Sequence, residues 1–422
     1  MLANLPRLKD RYLNIGILLS LVFVDMLGAN MVIAILPQFF TSYFGANTGG
    51  QNLIYGLLIA CYPIGQLFGA PIFGYLSDNL GRKKILKLSL IGTTLSYCIS
   101  FLAICINNLP LLFLARLLDG LTGGNIFIAQ SAILDSSQPK SKSKNLSLIS
   151  LMIGLGAIIG PVFGGLLTEL KTPLNQWVPL LSLAMPFFGA FLLGSFNIFI
   201  LSKFFSETKS NPTQVIDLRK INPFYGFSQI IKAFRVTSLR WLFVLSFLLS
   251  LGFSIFSNFF PKLLTDKFAL SPLLLGSIIS YFGIWVFGAV IVCLPVFNRY
   301  FKHYQSLFIT LFITATSGIA LSFVTQIWGY FLILPMVAIG IALSTPLLTT
   351  IISNLSPQEQ QSKILGINTS IQALAATAPV LAGIIAVYSL ELTILIGFAV
   401  YGLAGLIIYF KPSEFDDSQC NT

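Results

Sequence analysis

Charged residues are scarce in this sequence. Only 9% of its 422 residues are Asp, Glu, Lys or Arg, whereas soluble domains carry about 25%. Hydrophobic residues make up 55%, and the mean hydropathy is +0.86. This composition excludes an ordinary soluble domain. Apolar runs of about 20 residues, long enough to cross ~30 Å of hydrocarbon as helices, recur along the whole chain.

Residues typical of metal sites and of enzyme active sites are equally sparse. His303 is the only histidine, and the five cysteines form no CxxC pair or other metal-ligand spacing. No Walker nucleotide motif and no catalytic constellation is visible. We therefore expect no metal, no cofactor and no enzymatic activity, and we expect any transport to be driven by a gradient.

Backbone polar groups in lipid need partners within the chain, so the apolar runs must be helices. We predict an all-α integral membrane protein with twelve transmembrane helices. The predicted spans lie near residues 14–38, 52–76, 85–107, 110–134, 146–169, 177–202, 240–262, 272–297, 305–325, 327–353, 364–386 and 389–410.

The basic residues indicate how the chain is oriented. Of the 25 Lys and Arg residues, 21 fall on one side of the predicted spans, Arg116 falls within a span, and only Lys171, Lys262 and Lys267 fall on the other side. The positive-inside rule then places both termini in the cytoplasm. The net charge of +11 is explained by this topology, so we expect no nucleic acid as a partner.

The longest polar stretch divides the spans into six and six. We predict two pseudo-symmetric six-helix bundles, residues 1–205 and 240–422, joined by a cytoplasmic central loop, residues 206–239. An internal repeat supports the division: "AIIGPVFGG" (157–165) aligns with "AATAPVLAG" (375–383). The economical arrangement has a substrate path between the two bundles.

A compact charged segment, "GYLSDNLGRKK", connects spans 2 and 3. Its Gly74 and Gly81 permit a close helix approach and a tight turn. Asp78 can pair with basic groups or with a helix N-terminus from the other half, and Arg82 can reach Asp135 at the end of span 4. If the cations of this segment only enforced the topology, Asp78, Gly74 and Gly81 would not be needed.

This segment resembles the signature of the major facilitator superfamily. The matching residues are Gly74, Leu76, Ser77, Asp78, Gly81, Arg82 and Lys83. Asn79 departs from the pattern, since a cation is usual there. The resemblance implies a latch that closes the cytoplasmic side while the outer side is open, formed by Gly74, Asp78, Gly81, Arg82, Lys83 and Asp135.

Span 4 contains Arg116 and Asp119 deep within the hydrocarbon region. Three residues apart on a helix, they can share a face. A charge at this depth costs about 2.5–3.5 kcal/mol on insertion scales, so it indicates function unless the pair merely joins helices. Arg116 with Gly120, Gly123 and Gly124 resembles the second motif of the superfamily.

Asp25 lies near the middle of span 1, about 17 Å from its cytoplasmic end. It resembles the aspartate of the first helix in drug:proton antiporters. The resemblance makes Asp25, Asp119 and Arg116 the proton-coupling group, and it leaves open which carboxylate carries the proton. A hydrogen-bonded structural Asp25 is the alternative.

Span 5 contains "GLGAIIGPVFGG". Gly156, Gly160, Pro161, Gly164 and Gly165 resemble the core of the antiporter motif, which is associated with exporters that exchange substrate for protons. The alternative is a generic small-residue packing face.

The second half offers Asn258, Tyr281, Phe282 and Trp285 among many aromatic residues. An aromatic, mostly apolar wall suits lipophilic molecules, with cation–π contacts for cationic ones. Together with Asp25 these residues form the candidate substrate site, although aromatic residues in spans also face lipid or pack helices together.

The resemblance implies a proton-coupled exporter of drugs or other small lipophilic molecules, multidrug- or tetracycline-type, working as a monomer in a bacterial inner membrane. Its partners would be the substrate, protons and the lipid bilayer. One alternative is a dedicated exporter or importer of a single metabolite, such as a siderophore or a nutrient. Another is a non-transporting scaffold or receptor, which would have no reason to keep three ionisable groups in its spans.

Overall fold

The structure is a computed structural model that describes residues 8–45, 49–138, 141–170, 173–209, 239–357 and 360–410. These residues contain helices and no strand. Twelve of the helical spans are long and apolar enough to cross a membrane. The predicted all-α class and the twelve spans are therefore confirmed.

Span 1 consists of helices Leu8–Met31 and Leu36–Phe44, span 2 of Gly49–Leu80, span 3 of Arg82–Cys105, and span 4 of Leu109–Thr122 and Asn125–Ser136. Span 5 is Lys142–Thr168, span 6 is Leu181–Phe204, and span 7 is Arg240–Phe268. Span 8 consists of Pro272–Gly288, a π-helical turn Ala289–Cys293 and Leu294–Tyr300. Spans 9 and 10 are His303–Ser322 and Ile327–Asn354; span 11 is Gln361–Ala375 with Pro379–Ala386, and span 12 is Leu390–Phe410.

Three spans are interrupted next to proline or glycine, the residues that least favour a regular helix. Pro37 and Pro379 follow the breaks in spans 1 and 11, and neither has an N–H to bond the carbonyl four residues earlier. In span 4 the break falls at Gly123 and Gly124. These breaks let short helical segments change direction within the membrane.

A chain that crosses the membrane twelve times begins and ends on the same side. We call the side that carries both termini the terminal side and the other the distal side. The starts of spans 2, 8 and 12 and the ends of spans 1, 5, 7 and 11 lie on the distal side.

Span 7 extends further than its apolar run suggests. It was expected to end near residue 262, but the helix continues to Phe268. Lys262, expected at the edge of a loop, lies inside the helix and is 1% exposed. Asp266 neutralises it from the next turn, which explains why a charged segment remains helical at the end of a span.

The packing groups the chain into two compact units. Among the described residues, unit 1 comprises 8–43, 61–209 and 271–280, and unit 2 comprises 44–60, 239–270 and 281–410. Each unit is therefore one six-span half in which the first residues of one span are replaced by those from the other half: the start of span 8 belongs to unit 1, and the start of span 2 belongs to unit 2. Most of the predicted central loop, residues 210–238, lies outside the described residues, and the division at 205 and 240 stays a prediction.

The core of unit 1 is an apolar cluster where five spans meet. It consists of Ile17, Leu18, Leu21, Val22, Ile85, Leu86, Leu90, Ile128, Ala129, Ala132, Ile133, Ile149, Leu201 and Phe205. In unit 2, a cluster of aromatic rings takes this place: Phe256 contacts Phe260, Phe282 and Phe398 at centroid distances of 4.9, 5.5 and 5.1 Å.

In each unit, one glycine at the start of the span from the other half brings two helix backbones into direct contact. In unit 1 a Cβ on Gly276 of span 8 would overlap the Pro161 carbonyl of span 5. In unit 2 a Cβ on Gly56 of span 2 would overlap the Pro379 carbonyl of span 11. Because Pro161 and Pro379 occupy equivalent positions of the internal repeat, the same contact occurs twice on the distal side.

We predict that Gly276→Ala destabilises the protein by about 1–3 kcal/mol, because the new methyl group meets backbone atoms that cannot move aside. The thermal unfolding midpoint of the purified protein measures this. Gly288→Ala, on the same span, is the matched control, since a Cβ at Gly288 meets nothing within 4 Å. Equal midpoints for the two variants would contradict the close contact.

Candidate functional site

The structure brings Arg116 and Asp119 together. Nη1 of Arg116 lies 2.9 Å from Oδ2 of Asp119, and the two side chains are 15% and 5% exposed. The guanidinium also lies over the ring of Tyr62, 5.4 Å from its centroid. Nε of Arg116 is buried without a hydrogen-bond partner among the described residues. The arginine is therefore paired with one carboxylate but only partly satisfied.

Asp25 lies near this pair without joining it. The ion pairs found in the described part of the chain do not include Asp25. Its carboxylate lies near the side-chain amide of Asn125, which favours its charged form, and is close enough to Asp119 for the two charges to repel. We call Asp25, Arg116 and Asp119 the central cluster; it lies in unit 1.

The break in span 4 positions Asn125, the first residue of the helical segment after Gly124. Gly120 packs against Gly65 and the Tyr62 carbonyl of span 2, where a Cβ would not fit. As a result Gln66 of span 2 reaches the broken region, and its Nε2 donates to the Gly123 carbonyl at 3.0 Å. The glycines of the second motif thus bring spans 2 and 4 together around the central cluster.

Three of the antiporter-motif glycines lie against span 1 immediately after Asp25. A Cβ on Gly156 would lie 2.6 Å from Cβ of Met26, one on Gly160 would lie 2.8 Å from the Leu27 carbonyl oxygen, and one on Gly164 would overlap Met31. Span 5 therefore holds the backbone of span 1 directly, which fixes the helix that carries Asp25.

The adjacent face of span 5 contacts span 8. A Cβ on Gly165 would lie 2.5 Å from Cα of Leu273, and the Ser280 hydroxyl donates to the Ile158 carbonyl at 2.5 Å. Together with the contact at Pro161, this accounts for all five residues of the motif. The motif is a two-sided packing surface between spans 1 and 8.

The loop between spans 2 and 3 is organised by Arg82, which is largely buried. Its Nη2 lies 2.7 Å from Asp78, its Nε lies 3.0 Å from Asp135, and its Nη1 donates to the Ser77 hydroxyl at 2.7 Å. Three different nitrogens thus serve three acceptors. The contact between Arg82 and Asp135 is the one expected from the sequence.

The two glycines of the loop differ in their surroundings. Gly81 has φ +99°, a conformation that strongly favours glycine. The close helix approach expected at Gly74 is absent, because a Cβ there would meet nothing within 4 Å. Lys83 takes part through its backbone, as described next, and its side chain is partly exposed.

Glu207 is a residue of this loop region that the sequence analysis missed. Its carboxylate accepts the backbone N–H groups of Arg82 and Lys83 at 2.8 and 3.1 Å and those of Thr208 and Lys209 at 3.0 and 3.1 Å. A carboxylate at the start of span 3 complements the helix dipole. Its position as an acid directly after span 6, between Lys203 and Lys209, is the signal that could have found it.

The segment after span 6 is docked by further contacts. Asn14 of span 1 and Ser206 exchange two hydrogen bonds, 3.3 and 3.1 Å long. Nζ of Lys209 lies 3.5 Å from the Asp78 carboxylate. The beginning of the central loop is therefore bound to the loop between spans 2 and 3.

The candidate substrate residues divide between the units. Asp25 belongs to unit 1, and Asn258, Tyr281, Phe282 and Trp285 belong to unit 2. The backbone carbonyl of Asn258 accepts a hydrogen bond from the Tyr55 hydroxyl. The Tyr281 hydroxyl donates to the Phe331 carbonyl at 3.0 Å, and Trp285, which is 40% exposed, packs edge-on against Tyr281.

The described residues hold no cluster of His, Cys, Asp or Glu that could bind a metal ion. The chemistry available in the central cluster is therefore that of two carboxylates, one guanidinium and neutral amide and hydroxyl groups. Such a set can take up and release protons and can bind a cation.

Comparison with known proteins decides the family. The sequence matches the Major Facilitator Superfamily over residues 18–378. The chain belongs to this superfamily. As a member it is a multi-pass membrane transporter of small molecules, and it is not an enzyme.

Two superfamily relatives are antibiotic-resistance proteins. The tetracycline resistance protein, class C, of Escherichia coli is 26% identical over 367 residues, covering 86% of this chain and 87% of that protein. The quinolone resistance protein NorA of Staphylococcus aureus (strain MSSA476) is 28% identical over 396 residues, covering 92% and 93%. This transporter therefore has antibiotic-resistance proteins as relatives over nearly its whole length.

Solved structures agree on the fold. A bacterial homologue of the human lysosomal transporter Spinster, in an inward-facing and unoccupied conformation, aligns with a TM-score of 0.75. The alignment covers 96% of this chain and 98% of that structure at 15% identity. At this identity the likeness concerns the fold alone.

We predict that Arg82→Lys destabilises this transporter by about 1–3 kcal/mol. One ammonium group cannot serve three acceptors in the planar arrangement of a guanidinium, so some of the contacts to Ser77, Asp78 and Asp135 are lost. The thermal unfolding midpoint measures the effect. Lys84→Gln, at an exposed neighbouring residue, should leave the midpoint unchanged. An unchanged midpoint in Arg82→Lys would show that the three contacts contribute nothing.

We further predict that Glu207→Gln speeds hydrogen exchange at the amides of Arg82 and Lys83 about tenfold, because the charge that strengthens these bonds is lost. Exchange is read by mass spectrometry on peptides that span the loop. Glu169→Gln, an exposed acid on the distal side, is the control. Exchange at the wild-type rate would show that Glu207 does not hold the start of span 3.

Proposed function

We propose that this transporter exports small lipophilic organic molecules, including drugs, in exchange for protons. The observation that carries the proposal is the charge of the central cluster. Two carboxylates share a buried site with one guanidinium, and that guanidinium is paired with only one of them. With both acids ionised, the cluster has one uncompensated negative charge.

An uncompensated charge within the membrane is costly. Two kinds of species can remove it: a proton on one carboxylate, or a cationic or donor-rich substrate beside it. Both compete for the same charge, so binding of one favours release of the other. This competition is the minimum requirement for exchange of substrate against protons.

In the proposed cycle, a proton from the distal side neutralises Asp25 or Asp119, and the two bundles then rock to open the terminal side. A substrate from that side binds and displaces the proton. Asn125, at the break of span 4, gives Asp25 a neutral polar neighbour in either state. The rocking is the alternating access expected for the fold.

The packing of span 5 supports exchange through Asp25. Because the antiporter-motif glycines contact span 1 at Met26, Leu27 and Met31, a shift of span 5 moves the helix that carries Asp25. The same span contacts span 8 on its other face. The motif can therefore link movement between the halves to the position of the proton-binding residue.

On the terminal side, the cluster of Arg82, Asp78, Asp135 and Glu207 would act as a latch that stabilises the state in which this side is closed. We infer that this side is cytoplasmic, because the basic residues concentrate there. We also infer a bacterial inner membrane, since the relatives with drug-resistance functions are bacterial. The six-helix bundles 1–205 and 240–422 would act as the two moving bodies of a monomer.

The substrate would contact Asp25 in the first half and the aromatic residues Tyr281, Phe282 and Trp285 in the second, with Asn258 as a neutral polar contact. Asp25 offers a negative charge, and Tyr281, Phe282 and Trp285 offer aromatic rings. Residues of these two kinds suit lipophilic molecules with a positive or polar group. The tetracycline and quinolone resistance of the relatives agrees with this substrate class.

We predict that Asp25→Asn abolishes export against a gradient while folded protein remains in the membrane. The amide cannot take up a proton, so substrate and proton no longer compete. Accumulation of tetracycline, norfloxacin and ethidium is measured in inside-out vesicles with an acidic interior. Asp25→Glu, which keeps the carboxylate, is the control and should retain measurable transport.

Export by Asp25→Asn at the wild-type rate would show that Asp25 is not the proton-coupling residue. Asp119→Asn would then be tested in the same way. Transport of a single metabolite, with no response to the three drugs, would indicate a dedicated transporter. Accumulation that persists after the proton gradient is collapsed by an ionophore would contradict proton coupling.

A further inference from the structure

A second polar site lies on the distal side, away from the central cluster. Within unit 2 a cavity of about 460 Å³ lies between the beginning of span 2, the end of span 7 and the connection of spans 11 and 12. Its polar lining consists of Asn52, Asp266, Lys267, Ser389 and Glu391. The proposed exchange mechanism uses none of these residues.

Two carboxylates and two ammonium groups surround this cavity, but they are engaged differently. Lys262, behind the wall, is 1% exposed and donates to both oxygens of Asp266 at 2.6 and 2.7 Å. Lys267 points to the Val324 carbonyl, 2.7 Å away. Glu391 accepts from the Ser389 hydroxyl at 3.0 Å and is exposed. The ammonium groups are thus bound to protein acceptors, while Glu391 has only a neutral partner among these groups.

Asn52 provides the independent observation. Its side chain is 4% exposed, and its Nδ2 donates to the Ala386 carbonyl at 2.8 Å. The amide cannot be turned over, because its oxygen would then face that carbonyl. Its Oδ1 is buried and has no donor among the described residues. A buried acceptor without a donor is unfavourable, so a ligand that donates a hydrogen bond here would be stabilised.

The cavity wall also continues toward the candidate substrate residues. Tyr55 follows Asn52 by one helical turn on span 2, and its hydroxyl donates to the Asn258 carbonyl at 3.1 Å. The same ring packs edge-on against Phe259 at 5.7 Å. Tyr55, one helical turn from Asn52, therefore connects the cavity wall to the backbone of Asn258, one of the candidate substrate residues.

We propose that this cavity binds a protonated primary or secondary amine. The ammonium N–H groups donate to Oδ1 of Asn52, and Glu391 supplies the opposite charge. A quaternary ammonium group has the same charge but no N–H, so it leaves Asn52 without a donor and binds poorly. The placement of this site outside the cell rests on the proposed function; its chemistry rests on unit 2 alone.

The test is ligand-dependent thermal stabilisation of the purified full-length protein in detergent. The probes are phenethylammonium and phenyltrimethylammonium, which share a phenyl ring and a positive charge. Phenethylammonium should raise the unfolding midpoint in a saturable, concentration-dependent manner. Phenyltrimethylammonium should bind about tenfold more weakly or not at all, because it cannot form the charge-assisted hydrogen bonds.

Four variants locate the site. Glu391→Gln should weaken phenethylammonium binding about tenfold through loss of the charge, and Asn52→Leu should abolish it. Glu169→Gln, which removes a carboxylate on the same side outside the cavity, should bind like the wild type. Asp25→Asn should keep the component of phenethylammonium binding that Glu391→Gln weakens, which separates this site from the central cluster. If Asn52→Leu does not fold, Glu391→Gln still tests the proposal, because Glu391 is exposed and its substitution should not disturb folding.

Each opposite result overturns the proposal. Equal stabilisation by the two probes would mean that charge alone is recognised. Wild-type binding in Glu391→Gln would show that Glu391 is not the anion that binds the amine. Loss of phenethylammonium binding in Asp25→Asn alone would place the amine in the central cluster. No stabilisation of the wild type at any concentration would mean that water alone satisfies Asn52. Because none of these readings measures export, they are independent of the vesicle assay.

Discussion

The interaction on which the proposed function depends is the incomplete pairing of charge in the central cluster. Asp119 and Arg116 neutralise one another at 2.9 Å, while Asp25 has an amide neighbour and the repulsion of Asp119. In water such an imbalance would be trivial, but in a membrane-embedded site it must be removed by a proton or a ligand. An evenly paired site would give neither species a reason to displace the other.

The rest of unit 1 keeps this imbalance in place. Glycines of span 5 hold the backbone of span 1 next to Asp25, and glycines of span 4 create the break that presents Asn125. Because these glycines bring helix backbones into direct contact, neighbouring helices cannot shift independently. The distances between the charged groups therefore follow the helix positions. Movement of span 5 or span 8 would therefore change the electrostatics of the cluster.

The sequence predicts the features that depend on local pattern. Hydropathy is a property of each segment, so all twelve spans could be located, and Arg82 could be matched with Asp135 through a known motif. Features that depend on distant partners could not be predicted. Glu207 bonds residues 124 and 125 positions away, and Asn52 bonds Ala386 across 334 positions. The end of span 7 was missed for a local reason, because hydropathy alone does not show that Lys262 is paired with Asp266 one turn later. The open surroundings of Gly74 likewise depend on where other helices lie.

Proton release upon substrate binding tests the central claim most directly. The purified protein is placed in weakly buffered solution, and the pH is recorded as tetracycline or ethidium is added, with no membrane and no gradient. Our account predicts that the wild type releases protons in proportion to the substrate bound, and that Asp25→Asn binds substrate with no release. Substrate binding to the wild type without any change in proton occupancy, at pH values across the range in which the protein is folded, would contradict competition between substrate and proton in the central cluster.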